Sequence, residues 1–374
     1  MQAFTPNADF LFAETAGGYE ITKYTGGEAE VAVPATYREM PVIAIGEEAF
    51  CGCESVKRVT LPEGVRWIKG SAFRNCVCLE EIVLPQSLLR IDFGAFAQCR
   101  ALTAVQLPKG ITVIDGCTFS GCRSLTHIEL PPAVTSLGYG AFGSCSALTQ
   151  VTLNEGLTVM GREAFMGCNS LTEITLPDSL ISVEEGAFTL CNALKRIAIG
   201  KSLQAVGQKA FASGRALTEI VVDAENKCFS ASEAGLFGDE GKTLLQYATG
   251  RAQAHVTLPG SLTSVGAYAF YNTEGIKSVT LPDGVAEIGA GAFSYCGNLI
   301  EATLGEGVCS IGAGAFRGCS ALKSVQMQAD GWCVTKKESQ AKARTGGAEI
   351  GARTPEGCAE ALVKCHVDGY WYKK

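Results

Sequence analysis

The chain has 374 residues, 47% of them hydrophobic, so it is long and apolar enough to bury a large core. Its 31 Lys and Arg residues and 38 Asp and Glu residues give a net charge of −7. No run of like charges stands out, which argues against nucleic acid or an anionic membrane surface as a partner. No apolar stretch reaches the roughly 18 residues that a membrane-spanning helix needs.

Residues 1–41 are predicted to form an N-terminal β cap. Short apolar runs at 10–12, 20–24 and 31–33 are separated by glycine-containing turns, which is typical of short strands. This segment lies outside the repeat that fills most of the chain, and the first unit of a stacked array needs a cover over its core. The first residues have neither a basic segment nor a long apolar segment, so they do not read as a signal peptide.

A phenylalanine that recurs every 23 residues is the dominant feature of the chain. The step is broken once, by 59 residues between Phe211 and Phe270. A fixed period between about 20 and 50 residues indicates a solenoid, a propeller or an array. We therefore assign 42–222 and 256–327 as regular repeats of one elongated domain. The recurring residues are Phe50, Phe73, Phe96, Phe119, Phe142, Phe165, Phe188, Phe211, Phe270, Phe293 and Phe316.

The unit at residues 99–119 shows how one repeat is built. Val105 and Leu107 alternate with small or polar residues, which is the period of a strand with one buried face. Pro108 then ends the strand, because proline has no amide proton to donate. Ile111 and Ile114 continue the apolar pattern toward the next Phe. A strand this short buries its apolar side chains only when copies stack, so we expect one continuous core.

The repeated pattern carries a resemblance to a known family. The consensus Leu-x-x-Val-x-Leu-Pro-x-x-Val-x-x-Ile-x-x-x-Ala-Phe-x-x-Cys resembles the leucine-rich repeat of the BspA-like, or treponemal, class. The resemblance implies an α/β-type repeat solenoid that is mostly β, right-handed and curved, with a parallel sheet on its concave side and irregular or short helical turns on its convex side. It also implies a protein used for contacts, often as an adhesin at bacterial surfaces, and it implies no particular ligand.

Nine cysteines share one position of the repeat, three residues after the Phe. We interpret them as a packing column of reduced, buried thiols in an apolar row, because free Cys behaves as a small hydrophobe and parallel Cβ vectors on stacked turns disfavour disulfides. Gly214 and Thr273 take this position where Cys is absent. The nine are Cys53, Cys76, Cys99, Cys122, Cys145, Cys168, Cys191, Cys296 and Cys319.

The cysteines also bear on localisation. Many free thiols fit a reducing compartment, so a cytoplasmic protein is expected if the chain is complete. A cell-surface or secreted protein whose leader has been removed is the alternative.

Two segments leave the period. Residues 223–255 are predicted to be a lengthened repeat with a hairpin insertion, because strand-like runs at 235–237 and 243–247 flank the turn at 238–241. Residues 328–374 are predicted to form a C-terminal loop and cap, with a polar stretch at 336–355 and a closing strand at 369–372.

No catalytic residue and no cofactor are predicted. His127, His255 and His366 lie far apart in the repeat, and we expect no nucleophile and carboxylate beside any of them. The glycine-rich segments 289–291 and 312–314 lack the strand-to-helix context and the Lys of a phosphate-binding loop.

No metal site is predicted either. Cys51 and Cys53, and likewise Cys76 and Cys78, are separated by one residue and lack the usual spacing of structural zinc ligands. The alternative to a non-catalytic protein is an enzyme or metal-dependent protein with its site in 223–255 or in the C-terminal tail. The insertion offers Asp239, Glu240, Lys242, Tyr247 and His255, but nothing in the sequence makes them converge.

The remaining candidate is a surface. Residues that point away from the core in each strand form columns on the concave face, and one column is chemically varied. Two interpretations remain open: a solvated sheet, or a recognition column for a protein or possibly a glycan partner. The function predicted is a non-catalytic interaction scaffold, of unknown oligomeric state. The candidate binding residues are Arg58, Glu81, His127, Gln150, Glu173, Arg196, Glu219 and Glu301.

Overall fold

The computed structural model describes residues 7–212, 215–251, 253–327, 333–336 and 371–373. It divides into two compact units. Unit 1 comprises residues 1–194 and 198–210, and unit 2 comprises residues 195–197 and 211–374. Among the described residues, helical structure is confined to short 3-10 segments at Asn7–Asp9, Asp239–Gly241 and Thr249–Arg251. The expected mostly-β repeat solenoid with parallel stacked strands is confirmed.

The N-terminal part of unit 1 contains both antiparallel and parallel pairs. Strand β1 pairs antiparallel with β2, and β2 pairs parallel with β5. The β4–β5 hairpin turns through Arg38 and Glu39, both in the left-handed region. The strands are β1 (Phe10–Thr15), β2 (Gly18–Tyr24), β3 (Glu30–Ala32), β4 (Thr36–Tyr37) and β5 (Met40–Ile45).

The repeats that follow contain two kinds of short strand, which alternate along the chain. We call the longer strands, of three or four residues, ladder A, and the two-residue strands ladder B. The strands are β6 (Arg58–Thr60), β7 (Trp67–Ile68), β8 (Glu81–Val83), β9 (Arg90–Ile91), β10 (Val113–Ile114), β11 (His127–Glu129), β12 (Ser136–Leu137), β13 (Gln150–Thr152), β14 (Val159–Met160), β15 (Glu173–Thr175), β16 (Ser182–Val183), β17 (Arg196–Ile199) and β18 (Ala205–Val206).

Both ladders are parallel and keep the 23-residue step. In ladder A, His127 pairs with Gln150, and in ladder B, Val113 pairs with Ser136. Side chains alternate across each strand, so Ile128 is buried while its neighbours His127 and Glu129 are exposed. The repeat therefore brings equivalent residues of successive turns side by side.

Ladder A is interrupted at the unit that best illustrates the repeat. Val105 and Leu107 are buried as expected, but 102–107 form no strand, so the predicted strand there is wrong. The two outward residues are Ala104 and Gln106, which are weaker strand formers than the β-branched and aromatic residues. Val105 and Leu107 are thus buried even though the backbone around them does not form a hydrogen-bonded strand.

A column of phenylalanine rings forms the centre of unit 1. Phe50 through Phe188, at every 23rd residue, are 0% exposed. Their ring centroids are separated by 4.8 Å at the first step and by 5.3 to 5.5 Å afterwards, with nearly parallel planes from Phe73 onward. Tyr24 extends the stack at the N-terminal end, 5.0 Å from Phe50. The 23-residue step therefore places one Phe ring in each turn, where it packs against the Phe rings of the turns before and after it.

Unit 2 has the same two ladders and an antiparallel addition. Ladder A is formed by β23, β25, β27 and β29, and ladder B by the two-residue strands β24, β26 and β28 preceded by the five-residue strand β22. The strands are β19 (Glu219–Val222), β20 (Ser230–Ser232), β21 (Gly235–Gly238), β22 (Thr243–Tyr247), β23 (His255–Thr257), β24 (Ser264–Val265), β25 (Ser278–Thr280), β26 (Glu287–Ile288), β27 (Glu301–Leu304), β28 (Ser310–Ile311), β29 (Ser324–Met327), β30 (Cys333–Lys336) and β31 (Trp371–Lys373).

The off-period segment 223–255 contains an antiparallel hairpin and also supplies a turn of the stack. Strand β21 pairs antiparallel with β20 and β22, and β22 pairs parallel with β24. Tyr247 lies 23 residues before Phe270, and its ring stacks on Phe270 at 4.5 Å. Tyr247 therefore fills the Phe position of a turn that the Phe spacing alone does not reveal.

The turns that follow ladder B pass twice through the left-handed region. In the repeats marked by Phe, two positions have positive φ wherever they are described, whatever residue is present. The first position holds Glu48, Ser71, Gly94, Cys117, Gly140, Glu163, Gly186, Lys209, Tyr268, Gly291 and Gly314. The second holds Gly52, Asn75, Gln98, Gly121, Ser144, Gly167, Leu190, Asn272, Tyr295 and Gly318. Glycine adopts this conformation without strain because it has no Cβ, whereas the other residues at these positions adopt it less readily.

Candidate binding face

The candidate residues all lie at the outward positions of ladder A, which we call the strand-face column. In unit 1, Arg58 and Glu81 are register partners, and so are His127 and Gln150. Glu173 opens β15 at the equivalent position. In unit 2, Arg196 and Glu219 open β17 and β19, and Glu301 opens β27 beside Ser278 and Ser324. The repeat geometry thus places each residue on its strand as the sequence pattern requires.

Ion pairs join neighbouring rungs of the column. Arg58 Nη2 lies 2.7 Å from Glu81 Oε2, with both side chains about half exposed. In unit 2, Arg196 Nε lies 3.5 Å from Glu219 Oε2. Exposed pairs of this kind contribute little to stability, typically about 0 to 1 kcal/mol. Their charges therefore remain available to a partner, and stability does not depend on them.

The middle of the column in unit 1 has a different chemistry. His127 is exposed, and its Nδ1 lies 3.2 Å from the Thr126 hydroxyl. Gln150 and Glu173 are exposed on the next two ladder A strands. This stretch offers an imidazole, an amide and a carboxylate in succession, which suits recognition of a polar surface.

One histidine has a hydroxyl partner that the sequence analysis did not expect. His255 Nδ1 lies 2.6 Å from Ser278 Oγ, because the two residues are register partners in ladder A. Glu301 follows on the far side of Ser278. In a catalytic triad the histidine stands between the serine and the carboxylate, whereas here the serine stands between the other two. The arrangement therefore does not orient His255 as a general base.

The other polar residues of the insertion do not converge. Asp239 accepts a hydrogen bond from Thr243, 2.7 Å away, and Lys242 lies 3.8 Å from Glu240 at the tip of the hairpin. Tyr247 is buried in the aromatic stack. None of these contacts builds a site around His255. The C-terminal tail, including His366, lies mostly outside the described residues.

Eight of the nine column cysteines are buried, and Cys53 is only partly buried, so the expectation of a buried thiol is wrong at that position. The surroundings of the buried thiols are not purely apolar. Each buried thiol donates a hydrogen bond to the carbonyl oxygen of the Phe 26 residues earlier, at 3.0 to 3.3 Å, as between Cys145 and Phe119. Burial raises the pKa of the Cys145 thiol to about 12. Thr273 is also buried, and it donates to the Phe270 carbonyl at 2.8 Å. Gly214 lies outside the described residues.

The buried thiols are therefore hydrogen-bonded packing groups. Cys76 is buried and bonded to the Phe50 carbonyl, while Cys51, Cys53 and Cys78 are partly exposed. Within the described part of the chain, no three His, Cys, Asp or Glu side chains are grouped so that they could hold a metal ion. The same part of the chain has no helix long and apolar enough to cross a membrane.

Stacked parallel strands, the 23-residue step and the buried Phe column define a leucine-rich repeat solenoid. The chain belongs to the BspA-type leucine-rich repeat family. The family model, described as a BspA type leucine rich repeat region, matches six copies over residues 35–149, 112–233 and 248–341. The recognition made from the sequence pattern is thus confirmed.

Two solved structures illustrate the similarity. A leucine-rich cell surface protein of Faecalibacterium prausnitzii has a TM-score of 0.64 at 25% sequence identity, covering 87% of this chain and 88% of that one. A leucine-rich repeat protein of Bacteroides ovatus has a TM-score of 0.55 at 24% identity, covering 85% of this chain and 87% of that one. A comparison with curated proteins finds no significant match.

Proposed function

We propose that the protein is a non-catalytic scaffold that holds a protein partner on its strand-face column. The observation that carries the proposal is that each unit presents exposed, chemically varied side chains on parallel strands. Register pairs among them are Arg58 with Glu81, His127 with Gln150, and Ser278 with Glu301. A rigid ladder presents such groups at fixed spacing, so little conformational entropy is lost when a partner binds. Charged groups of both signs then set orientation and specificity.

Family membership and local chemistry support the same proposal. Leucine-rich repeat proteins generally act through partner binding, and the BspA type is commonly a binding or surface adhesin scaffold. The other outward position of each ladder A strand has less varied side chains than the strand-face column. It holds Thr60 and Val83 in unit 1 and Thr280 and Thr303 in unit 2. Threonine and valine are common in strands whatever the function. The recognition role is therefore assigned to the varied column.

A charge-reversal experiment tests the proposal. A partner is first isolated with the wild-type protein, and its affinity is then measured by surface plasmon resonance for Glu173→Lys and Arg196→Glu. We expect each change to weaken binding about tenfold or more while shifting the free energy of unfolding by less than about 0.5 kcal/mol. The matched control is Lys109→Glu, an exposed charge in the turn between the ladders. Loss of binding by the control alone, with both column variants unaffected, would refute the proposal.

A further inference from the structure

Three tyrosines of unit 2 form a cluster in two successive turns. The ring centroids of Tyr268 and Tyr271 are 6.0 Å apart, and those of Tyr271 and Tyr295 are 5.6 Å apart. Both pairs are edge-to-face, with interplanar angles of 74° and 73°. Tyr268 and Tyr271 lie between strands β24 and β25, and Tyr295 lies between β26 and β27. This tyrosine cluster belongs to the turns and not to the strand-face column.

The backbone at two of these tyrosines is strained. Tyr268 has φ 60° and Tyr295 has φ 62°, the left-handed region that suits glycine. The equivalent residues one turn later are Gly291 and Gly318, also at positive φ. Residues other than glycine hold these turn positions elsewhere too, for example Glu163 and Leu190, so the turn sets the positive φ and the aromatic side chain is what distinguishes Tyr268 and Tyr295. The fold does not require an aromatic side chain at either place.

The next turn makes room for the two rings. A Cβ atom added to Gly318 would lie 2.8 Å from Tyr295 Cδ1, and one added to Gly291 would overlap the edge of the Tyr268 ring. Each ring therefore rests on the bare backbone of a glycine, which fixes its orientation before any ligand arrives. Preorganised aromatic groups lose little entropy on binding.

The cluster is uncharged and partly open to solvent. Tyr295 is 45% exposed, and Tyr268 and Tyr271 are partly exposed. The pKa of Tyr271 is raised by burial and by its neighbours Tyr295 and Tyr268. Asn272 follows Tyr271 in the chain and is partly exposed, whereas Ser294 is buried and donates its hydroxyl to the Gly291 carbonyl. The surface thus combines flat apolar rings with phenol groups and the Asn272 amide.

We propose that Tyr268, Tyr271 and Tyr295 form a binding site for a neutral saccharide. A pyranose ring has one face of C–H groups, which packs on an aromatic ring, and a rim of hydroxyls, which bond to phenol and amide groups. The cluster supplies both, and the repeated turn places its rings over two successive repeats. This site is additional to the strand-face column and does not depend on it.

The size and charge of the cluster favour a saccharide over a protein surface. A stable protein interface buries about 800 Å² on each partner and usually brings charged groups to its rim. Three tyrosine rings, each burying at most about 150 to 250 Å², match one or two sugar rings. The three tyrosine side chains offer no charge of their own, and the exposed Arg317 precedes Gly318 in the next turn.

Substitution by glycine gives a direct test, because the neighbouring turns already carry glycine at these positions. The variant Tyr268→Gly/Tyr295→Gly removes two rings and relieves two left-handed tyrosines, so the protein should fold at least as well as wild type. Wild type and variant are tested by calorimetric titration against cellohexaose, xylohexaose, mannohexaose and chitohexaose. The matched control is Tyr139→Ala, which removes an exposed tyrosine of unit 1.

The expected result is that wild type and Tyr139→Ala bind at least one of the four oligosaccharides, and that the glycine variant binds it about tenfold more weakly or not at all. Failure of wild type to bind any of the four, or equal binding by the glycine variant, overturns the proposal. A protein ligand lost on the same substitution, without saccharide binding, also overturns it and makes the cluster a protein contact. Arg196→Glu should leave saccharide binding unchanged, which separates this site from the strand-face column.

Discussion

The Cys145 side chain satisfies a backbone carbonyl as well as filling space in the core. Its thiol is 3.2 Å from the Phe119 oxygen and is completely buried. The same hydrogen bond recurs from turn to turn. The Thr273 hydroxyl donates instead to the carbonyl of Phe270, which lies three residues earlier in the same turn. The Phe119 carbonyl also accepts the amide hydrogen of Cys122 at 3.1 Å, so the Cys145 thiol adds a second hydrogen bond to a carbonyl that is already paired.

Stability at alkaline pH should report the burial of Cys145. Its pKa rises from 9.0 to about 12 on folding, so above pH 9 the unfolded chain loses a proton that the folded chain keeps. The stabilising contribution is thus complete below pH 9 and falls by up to about 1.4 kcal/mol per pH unit until pH 12. Urea unfolding of wild type and Cys145→Ala at pH 8 and pH 10 measures it.

We expect Cys145→Ala to be less stable than wild type by about 1 kcal/mol at pH 8, for the lost hydrogen bond and contact. The gap should shrink or reverse at pH 10, because alanine does not titrate while the other ionisable groups are common to both proteins. A gap that is the same at both pH values would show that Cys145 is not buried as a neutral thiol.

At the same scale, the sequence predicts the position of each cysteine but not its partner. The 23-residue spacing shows that Cys145 and its equivalents share one environment. It does not show that a carbonyl faces them, since that depends on how closely successive turns approach. Tyr247, in contrast, was accessible from the sequence, because an aromatic residue 23 positions before Phe270 fits the period. The Phe-only pattern missed it.

At the scale of the secondary-structure elements, the close approach of successive turns restricts which residues can follow a ladder B strand. Gly289, at the end of strand β26, packs on the backbone of the preceding turn, and a Cβ there would overlap the Ala267 nitrogen. Gly138, Gly161 and Gly312 lie at the same position with similar contacts. In these turns glycine lets the chain pass directly over the turn below, whereas the equivalent position elsewhere holds Lys69, Asp92, Asp115 and Glu184.

Replacing Gly289 by alanine should destabilise unit 2 by more than about 2 kcal/mol, because backbone must shift to admit the methyl group. The control is Gly260→Ala, where nothing lies within 4 Å of the added Cβ. Gly260→Ala should change the free energy of unfolding by less than about 1 kcal/mol. The change is stabilising where alanine reduces the conformational freedom of the unfolded chain. Thermal unfolding compares the two variants. Equal stability for both would contradict the assigned packing of ladder B.

Strand formation is predicted less well than burial. The alternation around Val105 predicts the correct inward residues, yet no strand forms there, because regular pairing also depends on Ala104, Gln106 and the neighbouring turns. His255 and Ser278 show the same limit in another way. Their register follows from the 23-residue step, but the gap in the Phe pattern hides it.

For the whole molecule, the repeat Phe residues are the largest fully buried side chains among the described residues. Phe142 is fully buried between Phe119 at 5.4 Å and Phe165 at 5.3 Å. Phe142→Ala should lower the free energy of unfolding by about 3 to 5 kcal/mol. Phe93→Ala, which removes a ring that is 53% exposed, should cost less than about 1 kcal/mol. Urea unfolding measures both; if Phe142→Ala unfolds at the wild-type midpoint, the column is not the core.

The period and the apolar positions together predict the fold class of this chain, because a solenoid repeats one local solution. Function is different, since binding depends on outward residues such as Glu173 and Arg196 that the fold leaves unconstrained. The assignment of 1–41 as a cap stays a prediction, and so does that of 328–374, most of which lies outside the described residues. The tyrosine cluster escaped notice in the sequence because its members occupy different repeat positions.

The constant step between Val113, Ser136, Val159 and Ser182 in ladder B has a consequence for how such a gene can change. Removing or duplicating 23 codons within this run joins a turn to one like its former neighbour, so every ring, thiol and glycine meets an equivalent group again. A change of one residue within a strand shifts the pleat and turns inward residues outward. The protein can therefore vary in length by whole turns while its core stays the same, and each added turn brings a fresh set of outward residues on which selection can act.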